Sequence, residues 1–88
     1  MAEIEIERNE VEDPVLARQF EVEIAEAAAG AEAGDAPLGC TILDEGLHAE
    51  IELQVPGWTE RVTISYPPRP GEVRRATEHV LRSIGLVM

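Results

Sequence analysis

The sequence predicts an α+β domain: an antiparallel sheet of four to five strands, with a meander core over 39–66 and one C-terminal helix over about 71–84 packed on its apolar face. Three observations carry that expectation. Leu47 to Tyr66 alternates apolar and polar residues on either side of Pro56-Gly57. Shorter alternating stretches precede it. Near the end of the chain the apolar period changes from two to three and four, as a helix requires.

The first arm of the hairpin places Ala49, Ile51, Leu53 and Val55 on one parity and His48, Glu50, Glu52 and Gln54 on the other. The second arm does the same with Val62, Ile64 and Tyr66 against Arg61, Thr63 and Ser65. Pairing Leu53 with Val62, Ile51 with Ile64 and Ala49 with Tyr66 gathers the apolar residues on one face. A slip of one residue destroys that match.

Before the hairpin, Ile4 and Ile6 alternate with Glu3, Glu5 and Glu7, which reads as a short strand over 2–8. Its glutamates suit an exposed edge. Asn9 to Asp13 reads as a loop, and Pro14 to Arg18 as a single helical turn with proline at its first position. Gln19 to Glu26 reads as another strand, with Phe20, Val22 and Ile24 against Glu21 and Glu23. The Ala/Gly segment 27–38 has no repeated apolar face and reads as a mobile loop. Gly39 to Asp44 adds a strand, and a turn at Glu45-Gly46 would pair Cys40 with Ile51 and Ile42 with Ala49.

Pro67, Pro68 and Pro70 end the sheet. Val73, Ala76, Thr77, Val80, Leu81 and Ile84 then form one helical stripe. Glu72 in the first turn and Arg82 in the last suit the helix dipole. Gly85 is placed as a C-cap, with Leu86 as its apolar contact.

Composition narrows the function. The 88 residues make one small domain, 1–88, with eighteen acids against seven arginines, no lysine and a net charge of −11. Such a surface lacks the basic footprint of a nucleic-acid binder. It favours another protein of basic character, or a second copy of itself. No apolar run approaches the roughly 18 residues of a membrane span, and MAEIEIERNE lacks the basic and apolar regions of a signal peptide. A single cysteine, Cys40, fits a reducing cytoplasm.

No catalytic or cofactor motif stands out. His48, Glu50 and Glu52 alternate along one strand face, which reads as a solvated face rather than a metal site. Cys40 sits at an apolar-parity position and reads as a buried thiol. Neither a dinucleotide fingerprint nor a Walker pattern occurs. The expectation is therefore no enzyme, no metal and no cofactor.

Two features could meet a partner. Glu3, Glu5, Glu7, Glu21, Glu23, Glu50 and Glu52 all take the polar parity of predicted strands, so Glu21, Glu23, Glu50 and Glu52 are candidates for one acidic sheet face. Trp58 follows Pro56-Gly57 at an expected loop tip and is a candidate binding anchor. The expected function is a non-enzymatic protein–protein interaction module, an adaptor or small subunit of a larger assembly. The alternative is an acidic inhibitor or immunity-type protein that blocks a basic or nucleic-acid-binding target.

Overall fold

The computed structural model describes residues 4–30, 38–55 and 57–83. Its elements run β1 (Ile4–Asn9), α1 (Pro14–Ala29), β2 (Leu38–Asp44), β3 (His48–Val55), β4 (Trp58–Ser65) and α2 (Glu72–Ser83). The strands form one mixed sheet in chain order, β1-β2-β3-β4. The domain is α+β as expected, but it has two helices among the described residues rather than one.

The second helix is the main correction. Residues 19–26 are not a strand; they are the middle of α1, which absorbs the single turn expected at 14–18 and the alanines at 27–29. Asp13 starts it. Its Oδ1 accepts the amides of Val15 and Leu16 at 2.8 and 3.3 Å, and Pro14 opens the first turn. The buried residues are Phe20, Ile24, Ala27 and Ala28, which share one helical face. Val22, which a strand would have turned inward with Phe20 and Ile24, is 41% exposed. A helix buries the alanines as well as the two large residues; a strand over 19–26 leaves the alanines outside the core. Of the expected 27–38 loop, Ala27–Ala29 belong to α1 and Leu38 begins β2, while 31–37 lie outside the described residues.

Because α1 joins β1 to β2, these two strands run parallel, with Ile4 opposite Leu38 and Ile6 opposite Cys40. A parallel neighbour needs such a crossover. β1 is an edge strand, as expected, and its pairing is irregular between Ile6 and Arg8.

The meander over β2–β4 is antiparallel, but both of its registers differ from expectation by two residues. Leu53 faces Glu60, Ile51 faces Val62 and Ala49 faces Ile64. Only residues 56 and 57 separate the paired Val55 and Trp58, and Gly57 has φ 79°, which glycine adopts without strain. The tighter turn draws Trp58 to Glu60 into the strand. Across β2 and β3, Cys40 faces Leu53, Ile42 faces Ile51 and Asp44 faces Ala49. The wider connection is held by Asp44 Oδ1, which accepts the Gly46 amide at 2.9 Å. A shift of two keeps every side chain on its expected face, because the strand period is two.

One face of the sheet is covered. Cys40, Ile42, Ala49, Ile51, Leu53 and Ile64 are buried there with Phe20 and Ile24 of α1 and Val73, Val80 and Leu81 of α2. α2 matches the expected helix over its described length. Val73, Thr77, Val80 and Leu81 are buried, and Thr77 Oγ1 donates to the Val73 carbonyl at 2.8 Å, so its hydroxyl is satisfied. The last residue of the expected stripe, Ile84, and the expected cap at Gly85 with Leu86 lie outside the described residues.

Candidate interaction surface

The uncovered face of the sheet carries the other parity. Arg8, Thr41, Glu52 and Arg61 stand opposite one another and make a row across all four strands. Arg61 Nε lies 2.7 Å from Glu52 Oε2, and its Nη1 is 4.0 Å from Glu50. Gln54 Nε2 donates to the other Glu52 oxygen at 2.6 Å. That bond from Gln54, and then the contact with Arg61, hold the Glu52 carboxyl below its ordinary range. His48 Nε2 is 3.9 Å from Glu50.

The expected acidic face is therefore divided. Glu50 and Glu52 lie on it, but Arg61 stands beside both. Glu21 and Glu23 lie on α1, in the helical layer. Glu21 accepts the Asn9 side-chain amide at 2.9 Å. Glu23 accepts Gln19 Nε2 at 2.9 Å and the Arg74 backbone amide at 3.1 Å. It thus caps the start of α2 from the neighbouring helix. A pocket of about 300 Å³ opens beside this contact, lined by Glu23, Glu26, Gly71 and Arg74. An anion drawn to this helix start would find a carboxylate already there.

Trp58 is the first residue of β4, not a loop tip, and is 52% exposed. It shares the parity of Val62 and Ile64, at the end of the sheet beside the Pro56-Gly57 turn. Val62 of β4 and Ala76 of α2 are also only partly buried. An apolar margin thus runs along the boundary between β4 and the helical layer.

The outer edge of β4 is the feature that sequence reasoning missed. Glu72 Oε2 accepts the Ser65 amide at 3.1 Å, and its Oε1 accepts the Arg69 amide at 2.9 Å. The Ser65 amide therefore points away from β3. In an antiparallel ladder the outward-pointing amides recur at every second residue. Thr63, Arg61 and Thr59 then present their amides and carbonyls on the same side. None of the three amides has a backbone or side-chain partner across that edge among the described residues. Exposed ladder groups of this kind are a template for another strand. The phase of the ladder depends on the register, so sequence parity alone could not reveal it; the Pro-Gly pair, read as a two-residue turn, was the available signal.

The two edges of the sheet are unequal. β1 carries Glu5 and Glu7 and an irregular register, and both features discourage strand addition. β4 carries Glu60 and Arg61, and Arg61 is engaged with the glutamates of β3.

Other chemistry is sparse. Burial, then the nearby carboxylates of Glu7 and Glu21, push the Cys40 thiol up to about 12, so it stays protonated and unreactive while the protein is folded. Among the described residues, no three metal-ligating side chains converge. No described helix is long and apolar enough to cross a membrane.

The chain matches no protein-family profile and no curated protein. Among solved structures, it is similar to the Thermus thermophilus Protein Y N-terminal domain, with 16% identity over 94% of this chain and 93% of that chain. The TM-score is 0.48. A likeness of that size bears on neither partner nor activity.

Proposed function

We propose that this chain is a non-enzymatic protein–protein interaction module, an adaptor or small subunit of a larger assembly, that takes a partner strand at the outer edge of β4. The observation that supports the reading is the row of outward amides at Thr59, Arg61 and Thr63. Main-chain bonds along such an edge supply affinity, and the flanking side chains select the partner. Trp58 and Val62 offer the apolar contacts beside it. A single cysteine, with no second one in the chain to pair with, suits a reducing compartment such as the cytoplasm.

The acidic-inhibitor reading draws less support. It needs a continuous glutamate patch. Arg61 interrupts the pair at Glu50 and Glu52, and Glu21 and Glu23 belong to the other layer.

Thr63→Pro tests the edge. It removes an outward amide without removing a β3–β4 ladder bond, and proline is tolerated on an edge strand in that orientation. The expected outcome is a folded protein by circular dichroism that no longer retains, in affinity capture, the partner retained by the unsubstituted chain. Equal retention by both would move the interaction away from β4.

A further inference from the structure

We infer that the occupant of the β4 edge is β4 of a second copy of this chain, paired antiparallel about a two-fold axis at Val62. The inference rests on the edge reading above and names the partner for it.

Register selects the axis. An antiparallel homodimer places one residue, or one pair, on the axis. With Glu60 there, two carboxylates oppose each other directly. With Arg61 there, two guanidinium groups do. Like charges directly opposite destabilise a pair of strands. With Thr63 there, Arg61 must bond to Ser65, whose amide is already taken by Glu72. Among these four central residues, Val62 alone avoids a like-charge pair and keeps the central main-chain pairs clear of Ser65, whose amide falls opposite only Thr59 at the end of the pairing. On that axis Val62 meets Val62 of the other copy, Glu60 meets Ile64, and Arg61 and Thr63 exchange both main-chain bonds. Pairing ends where Glu72 occupies the Ser65 amide, so the same carboxylate limits the length of the added strand. The half-buried Val62 and Ala76 margins of the two copies are brought together on the helical side of the joined sheet.

The outward-bonding residues are Thr59, Arg61 and Thr63, so Val62 and its counterpart form a non-hydrogen-bonded pair. Their Cα atoms would lie about 4.5 Å apart. That is within the span of a disulfide. Glu60 and its counterpart, four residues out of step, would lie about 13 Å apart. The net charge of −11 on each copy opposes association, so pairing should tighten with salt.

The test is sedimentation of the full chain up to about 1 mM, at about 0.01 M and 0.5 M salt, with oxidative cross-linking of Val62→Cys and Glu60→Cys. The thiol of Cys40 is buried and should not compete. The expected result is a mass that rises toward twice the monomer with concentration, more readily at high salt, and falls back to monomer in Thr63→Pro. Val62→Cys should give at least about tenfold more disulfide-linked dimer than Glu60→Cys. A monomer under every condition would overturn self-pairing. If Thr63→Pro still lost a captured partner, the edge reading would survive with a different protein on it. Equal cross-linking at both positions, or a dimer that persists in Thr63→Pro, would place self-association elsewhere. If Thr63→Pro changed neither mass nor capture, both proposals would fail.

Discussion

The two helices cover the same face of the sheet by different means. α1 contributes the largest fully buried side chain, Phe20, together with Ile24 and two alanines. α2 is the more polar of the two: it buries Val73, Thr77, Val80 and Leu81, while Arg74, Arg75 and Arg82 remain exposed. Its start is held by carboxylates from two directions, Glu72 of its own first turn and Glu23 of α1. α1 is thus fastened mainly by what it buries, and α2 by burial plus a polar clasp. An element of the first kind owes its conformation to the layer it packs against; one of the second kind displays its helical period in its own residues.

A pair of truncations on α1 should separate a helix from a strand there. Phe20→Ala should cost about 3–5 kcal/mol, the range for emptying a buried aromatic site. Val22→Ala should stay within about 0.5 kcal/mol, as for surface substitutions. Urea unfolding measures both. A strand over 19–26 would place Phe20 and Val22 on one face and make both changes costly. Comparable losses would therefore argue against the helix.

This pair also shows why the sequence was legible for one helix and not the other. In α2, exposed arginines separate the apolar positions, so the spacing of three and four stands out. In α1, Phe20, Val22 and Ile24 happen to alternate with glutamates, and alternation is the signature of a strand. The information that decides the matter is less conspicuous: Asp13 before Pro14, and alanines that continue the stripe from Phe20 through Ile24. The strand faces were legible throughout, because parity survives a register shift of two. The registers were not, since the geometry of two short turns sets them. For the interaction surface, the positions of Glu50 and Glu52 on the open face were legible. The proximity of Arg61, the placement of Glu21 and Glu23 on the helix and the direction of the β4 amides all depended on tertiary placement.

A smaller effect separates the starts of the helices. Asp13→Ala removes the oxygen that accepts two amides of α1 and should cost about 1 kcal/mol. Asp13→Asn, which keeps an accepting oxygen, should recover most of it. If the alanine variant matched the unsubstituted protein in urea, α1 would be held by burial alone, and the contrast with α2 would be still sharper.

The smallest expected effect lies in the clasp of α2 and is distinguished by its pH dependence. The amides of Arg69 and then Ser65 donate to Glu72 and lower its pKa in the folded protein. The folded state therefore binds the Glu72 proton less tightly than the unfolded chain does. Its contribution is present above the unfolded glutamate value of about 4.3 and is lost as pH falls through the lowered folded value. Glu72→Gln should cost under about 1 kcal/mol at neutral pH, because the site is largely open to water. The gap between variant and parent should close in acid, where the parent carboxyl is also neutral. Hydrogen exchange at Ser65 supplies a local readout, since weakening this bond should speed exchange of that amide more than that of Ile64, which points into the β3 ladder. A stability gap that stayed constant down to about pH 3 would mean that the glutamate acts through packing rather than charge. The α2 start would then resemble α1 in depending on shape.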